Sequence, residues 1–91
     1  MKYTYTISGR VNYNDAETVS GNLTVEINET IEVSELSATA ALEKFFQENE
    51  EYDDFFQLKT CDIETYGKKH ATFIDATDND RKLYVDLVEE S

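Results

Sequence analysis

Carboxylates dominate the reactive side chains of this chain. Asp and Glu number 20 against 8 Lys and Arg among 91 residues, a formal net charge of -12. From Val11 to Leu58 twelve acids face a single base, Lys44, so -11 of that charge falls in the middle of the chain. Glu26, Glu29, Glu32 and Glu35 recur every third residue through a strand-to-helix junction, and Glu48, Glu50, Glu51, Asp53 and Asp54 follow with Tyr52 among them. Carboxylates on alternate strand positions, or one helical turn apart, stand about 5 to 7 Å from each other. Such an array resembles the charge pattern of a nucleic-acid backbone. Holding like charges together costs stability through self-repulsion, a cost that solubility or a cationic partner would offset.

Other reactive groups have weaker patterns. Cys61 and His70 would be the only nucleophile and base, on adjacent expected strands, but no orienting group or oxyanion loop accompanies them. Asp75, Asp78, Asn79 and Asp80 superficially resemble a calcium loop. A loop begun at Asp75 has Asp80 where the glycine belongs and Asp86 where a bidentate Glu belongs, so a hairpin turn is expected. Asp53 and Asp54 have no enclosing apolar pocket to tune them for acid-base work. Lys68, Lys69 and His70 form the one basic cluster and read as a solvated turn. No catalytic residue, metal site or cofactor is expected, and the chain reads as a non-enzyme.

The elements that must position these groups are legible from periodicity. Tyr3, Tyr5, Ile7, Gly9, Val11 and Tyr13 alternate with polar residues, a strand with one buried face. Turn chemistry at Asn14 to Glu17 leads to a second alternation, Val19, Gly21, Leu23, Val25 and Ile27, which either breaks near Asn28 or continues through Ile31 and Val33. The two form an antiparallel hairpin. Ala38, Ala41, Leu42 and Phe45 then mark a helix capped by Ser34 or Ser37 and ending near Asn49. An acidic, aromatic connector follows, with room for an extra helical turn. Three further strands are expected at Gln57 to Tyr66, His70 to Thr77 and Lys82 to Glu89, with a bulge in the first and turns at Gly67 to Lys69 and Asp78 to Asp80. The order ββαβββ predicts an α+β fold: an antiparallel sheet of about five strands with one helix packed on one face, in a single domain over residues 1–91.

Composition excludes several classes of function. A nucleic-acid binder gains affinity by neutralising phosphates with Lys and Arg, and this chain would repel that polyanion and an anionic membrane alike. No apolar run approaches the roughly 18 residues that span a bilayer. Eleven aromatics, six Tyr and five Phe, are too many for an acidic disordered tail. One cysteine permits no internal disulfide, and Met1 to Thr4 contain no apolar leader, so the cytoplasm is the expected compartment.

Size, charge and the acidic-aromatic run from Glu48 to Asp54 resemble the small phage-encoded inhibitors of the anti-CRISPR and anti-restriction type. The resemblance implies a DNA mimic that occludes the cationic groove of a CRISPR effector or another defence nuclease in the host cytoplasm. Glu29, Glu32, Glu35, Glu48, Glu50, Glu51, Asp53 and Asp54 would then pair with Arg and Lys that normally read phosphates, and Tyr52 would add desolvated contact area. Two other readings stand beside it. One is an immunity or interaction module that binds a basic toxin or a host protein through the open edge of its sheet. The other is a small phage structural or accessory protein whose acidity serves solubility.

Overall fold

A computed structural model of the chain describes residues 2–14, 22–53, 55–59 and 66–90. Strands β1 (Tyr3–Asn14) and β2 (Asn22–Val33) form the long hairpin that the alternation predicts, and β2 does not break at Asn28. They pair in register along all twelve residues, from Tyr3 opposite Val33 to Asn14 opposite Asn22. At about 3.3 Å per residue each strand spans roughly 40 Å, nearly the whole 44 Å long axis of the molecule.

Helix α1 (Ala38–Glu48) starts at Ser37, whose hydroxyl accepts the Ala40 N–H at 3.1 Å. Of the two serine candidates, Ser37 is therefore the cap. At the other end the Asn49 side-chain amide donates to the Phe45 carbonyl at 2.8 Å, satisfying one of the orphan acceptors of the last turn. Ala38, Ala41, Leu42 and Phe45 are buried against the sheet.

The connector does not extend the helix. Tyr52–Asp53 forms a two-residue strand, β3, beside Asn12 and Tyr13 of β1. The expected third strand is observed as the short β4 (Phe56–Leu58); residues 60–65, where the sequence places the rest of it and its bulge, lie outside the described residues. Tyr66–Lys69, expected as strand end and turn, instead forms a single helical turn, α2. The buried Tyr5 hydroxyl donates to the Lys68 carbonyl there, tying that turn to the middle of the sheet.

Strands β5 (His70–Asp75) and β6 (Lys82–Glu90) complete an antiparallel sheet in the order β2-β1-β6-β5-β4, with β3 beside the far end of β1. The fold is α+β: five antiparallel strands along one path, the short β3 added beside β1, and a helix packed on one face. Tyr5, Ile7 and Val11 meet Leu83, Val85, Phe73 and Ile31 on the helix side and are fully or almost fully buried. The opposite face carries Thr4, Thr6, Ser8, Thr72 and Tyr84, as a one-sided antiparallel sheet requires. A bulge does occur, between β1 and β6: Thr4 opposes Glu89 and Tyr5 opposes Leu87, which leaves Val88 unpaired and exposed.

The β5–β6 connection is a hairpin turn organised from within. The Asp75 carboxylate is buried and accepts the Thr77 N–H and hydroxyl at 2.7 Å each. Arg81 Nη2 lies 3.1 Å from Asp75 Oδ2, close enough for charge pairing though not aligned as a hydrogen bond. The residues that suggested a calcium loop thus fold around an arginine. Removing one member of a buried pair strands the other, so Asp75→Ala is expected to cost about 3 kcal/mol in urea unfolding, and the double variant Asp75→Ala/Arg81→Met less than the single.

Gly9 is required by a close approach rather than by a turn. Its φ is +135°, and a Cβ there would lie 2.0 Å from the Lys82 carbonyl oxygen, where β6 joins β1. Gly9→Ala is expected to lower stability by about 2 kcal/mol or more, read as a reduced urea midpoint.

Candidate functional site

A spacing of three means something different on a strand than on a helix. Strand side chains alternate faces, so Glu26, Glu29 and Glu32 cannot share one. Glu26 lies opposite Arg10 and Glu32 opposite Thr4, both on the polar face of the sheet. Glu29 lies opposite the buried Ile7, on the helix face, yet it is exposed because β2 is an edge strand. Glu35 is exposed in the bend between β2 and α1.

The two polar-face glutamates have partners. Arg10 Nε is 3.6 Å from Glu26 Oε1, and Lys2 Nζ is 3.3 Å from Glu32 Oε1. Both pairs are exposed and worth little in stability. Lys44, the one base of the acidic middle, gives its ammonium to the Glu32 main-chain carbonyl at 2.6 Å and not to a carboxylate. Among the described residues, none of the ion pairs involves Glu29, Glu35, Glu48, Glu50 or Glu51.

Helix α1 ends in the most uncompensated part of this surface. Glu48 occupies its last turn and Glu50 and Glu51 follow, all exposed, with no base in that turn and no acid in the first. The macrodipole already makes a helix C-terminus negative, and acids there are unfavourable by about 0.3–1 kcal/mol each. Helix stability therefore does not explain their placement.

Tyr52 links this end to the sheet. Its ring stacks on Phe45 at 5.7 Å and meets Tyr13 edge-on at 5.8 Å. Burial first, then the negative charges of Glu51 and Glu29, raise its phenol above the ordinary 10.0. Glu29 and Glu51, distant in sequence, thus both act electrostatically on one phenol. Asp53 continues β3 through its backbone pairing with Asn12, and Asp54 lies outside the described residues.

The sequence does not reveal a groove of about 420 Å³ on the other flank of α1. Leu42, Phe46, Phe56 and Phe73 line it, Phe46 and Phe56 stack at 5.7 Å, and Glu43 and Glu50 stand beside them. The stripe of residues 39, 43, 46, 47 and 50 was its signal, but a second helical stripe beside the core stripe reads first as core. Glu50 accordingly faces a different flank from Glu29.

Catalytic and metal readings gain nothing. His70 Nδ1 lies 2.6 Å from Asp86 Oδ1 on the polar face, and Cys61 is outside the described residues. Among the described residues, no three His, Cys, Asp or Glu side chains group as metal ligands, and no helix is long and apolar enough to cross a membrane. No protein-family model, curated protein or solved structure matches the chain.

The Tyr52 environment is directly measurable. In an ultraviolet titration the Tyr52 phenol is expected to ionise above the ordinary range, and Glu51→Gln or Glu29→Gln to move it partly back. The folded state holds that proton more tightly, so this contribution is intact below pH 10 and stability falls as pH rises through the phenol's raised value.

Proposed function

We propose that the protein acts by binding rather than by catalysis, presenting its carboxylates to a cationic groove of a nucleic-acid-binding protein and occluding it. The observation that carries this reading is the acidic end of α1. Glu48, Glu50 and Glu51 add to a pole that the helix already makes negative, and no described base is paired to any of them. Charge held there against local stability serves attraction at a distance. A partner's Arg and Lys would pair with these carboxylates in place of phosphates, while Tyr52 supplies apolar contact. Glu35, Asp53 and Asp54 would extend the surface, and Glu32 would contribute from the opposite face.

A CRISPR effector or another defence nuclease of a phage's host is the class of target this surface suits, since such proteins hold nucleic acid in positively charged channels. The host cytoplasm would be the compartment. Inhibition would be competitive with nucleic acid, and association fast at low salt.

Capture of partners from a bacterial lysate at low and high salt, followed by affinity measurement, tests this reading. Nucleic-acid-binding proteins are expected to be recovered at low salt and lost as salt rises. Replacing Glu48, Glu50 and Glu51 together by Lys should weaken binding at least about tenfold while circular dichroism stays unchanged. A partner that remains bound at high salt and is indifferent to those replacements would overturn it.

A further inference from the structure

The edge of β2 is a second feature, distinct from the acidic end of α1 though Glu29 bears on both. Among the described residues β2 pairs only with β1, so its other side presents a row of backbone donors and acceptors along twelve residues. Exposed edges of this length are normally blunted by proline, by charged side chains, lysine above all and including charges that point inward, by a bulge or by shortness. The chain contains no proline, β2 contains no Lys or Arg, and its register with β1 is unbroken, so its glutamates are what guards this edge. Among the described residues Lys44 alone intrudes, on the Glu32 carbonyl, and no described strand pairs with the stretch before Glu32 on this side.

What β2 does carry is Glu26 on one face and Glu29 on the other. Opposed like charges destabilise a strand pair and opposite charges stabilise it. A second copy aligned on this edge would bring its own glutamates, and the whole chain would bring a further charge of -12. The edge therefore repels its own kind and any acidic strand, while remaining complementary to a basic one. Glu29 is decisive because it stands on the helix face of an edge strand, among Ile27 and Ile31, with no described cation paired to it. Glu26 holds Arg10 only through an exposed contact at 3.6 Å and can exchange it.

We propose that the free edge of β2 docks an extended basic segment of a partner protein as an added antiparallel strand. Its Lys or Arg residues would stand three positions apart, opposite Glu26 and Glu29. The spacing follows from register. Directly opposed residues share a face, so bases that meet Glu26 and Glu29 must also lie three apart and point to opposite faces of the new strand. Main-chain hydrogen bonds would supply affinity and the two carboxylates would select the sequence.

The test is NMR of the isotope-labelled protein titrated with a short Thr/Val peptide bearing two lysines three residues apart. Controls are the same composition with the lysines two apart, and a version with glutamates in their place. Hydrogen exchange is expected to slow at alternate amides of β2 between residues 24 and 31. The three-apart peptide should bind about fivefold tighter than the two-apart peptide, and Glu29→Gln should abolish that preference. Unchanged exchange along β2, indifference to lysine spacing, or slowed exchange from self-association without peptide would each overturn the proposal. Glu48, Glu50 and Glu51 are untouched in this experiment, so its failure and that of the carboxylate-surface reading are separate results.

Discussion

One-sided burial of β1 is the constraint on which the rest of the structure depends. Tyr5, Ile7 and Val11 point to the helix side and are wholly enclosed, while Thr4, Thr6 and Ser8 point away. β1 is hydrogen-bonded to β2 on one side and to β6 and β3 on the other, so a slip of one residue would turn every one of these side chains over. The Tyr5 hydroxyl, bonded to the Lys68 carbonyl, and the glycine at position 9 hold the same strand to α2 and β6.

This arrangement dictates where charge can go. A chain with 20 carboxylates and a small core cannot bury them, and the helix face of the central strands is closed to them. What remains is the polar face, the edge strand and the ends of the helix. On the polar face, glutamates meet Arg10 and Lys2. At the edge and at the end of α1 they meet no described cation, and there their field acts outward. Asp75, the deeply buried carboxylate among the described residues, survives because Arg81 and Thr77 accompany it.

The proposed carboxylate surface and the β2 edge are different devices. The first works through a potential that many cationic surfaces would satisfy and that salt would screen. The second requires a particular backbone conformation and spacing in its partner. Glu29 bears on both, since its charge acts on the Tyr52 phenol and it also stands on the open edge. A partner with a cationic groove beside an extended basic strand would engage both.

Alternation along β1 and β2, the apolar stripe of α1 and a serine cap at either Ser34 or Ser37 were legible in the sequence, because each is a local periodicity or a local hydrogen bond; the structure chose Ser37. The hairpin, the helix and the α+β class follow from them. β3 and α2 were not legible: two residues beside Asn12 and Tyr13, and one turn beneath Tyr5, exist through tertiary contacts and have no period of their own. The same distinction holds for the candidate site. Sequence alone determined that the acids concentrate between Val11 and Leu58 with only Lys44 against them. Only the tertiary structure decided that they divide among two sheet faces, an edge and a helix end, because strand pleating separates Glu26 from Glu29 while chain folding lets the charges of Glu29 and Glu51 act on the same phenol.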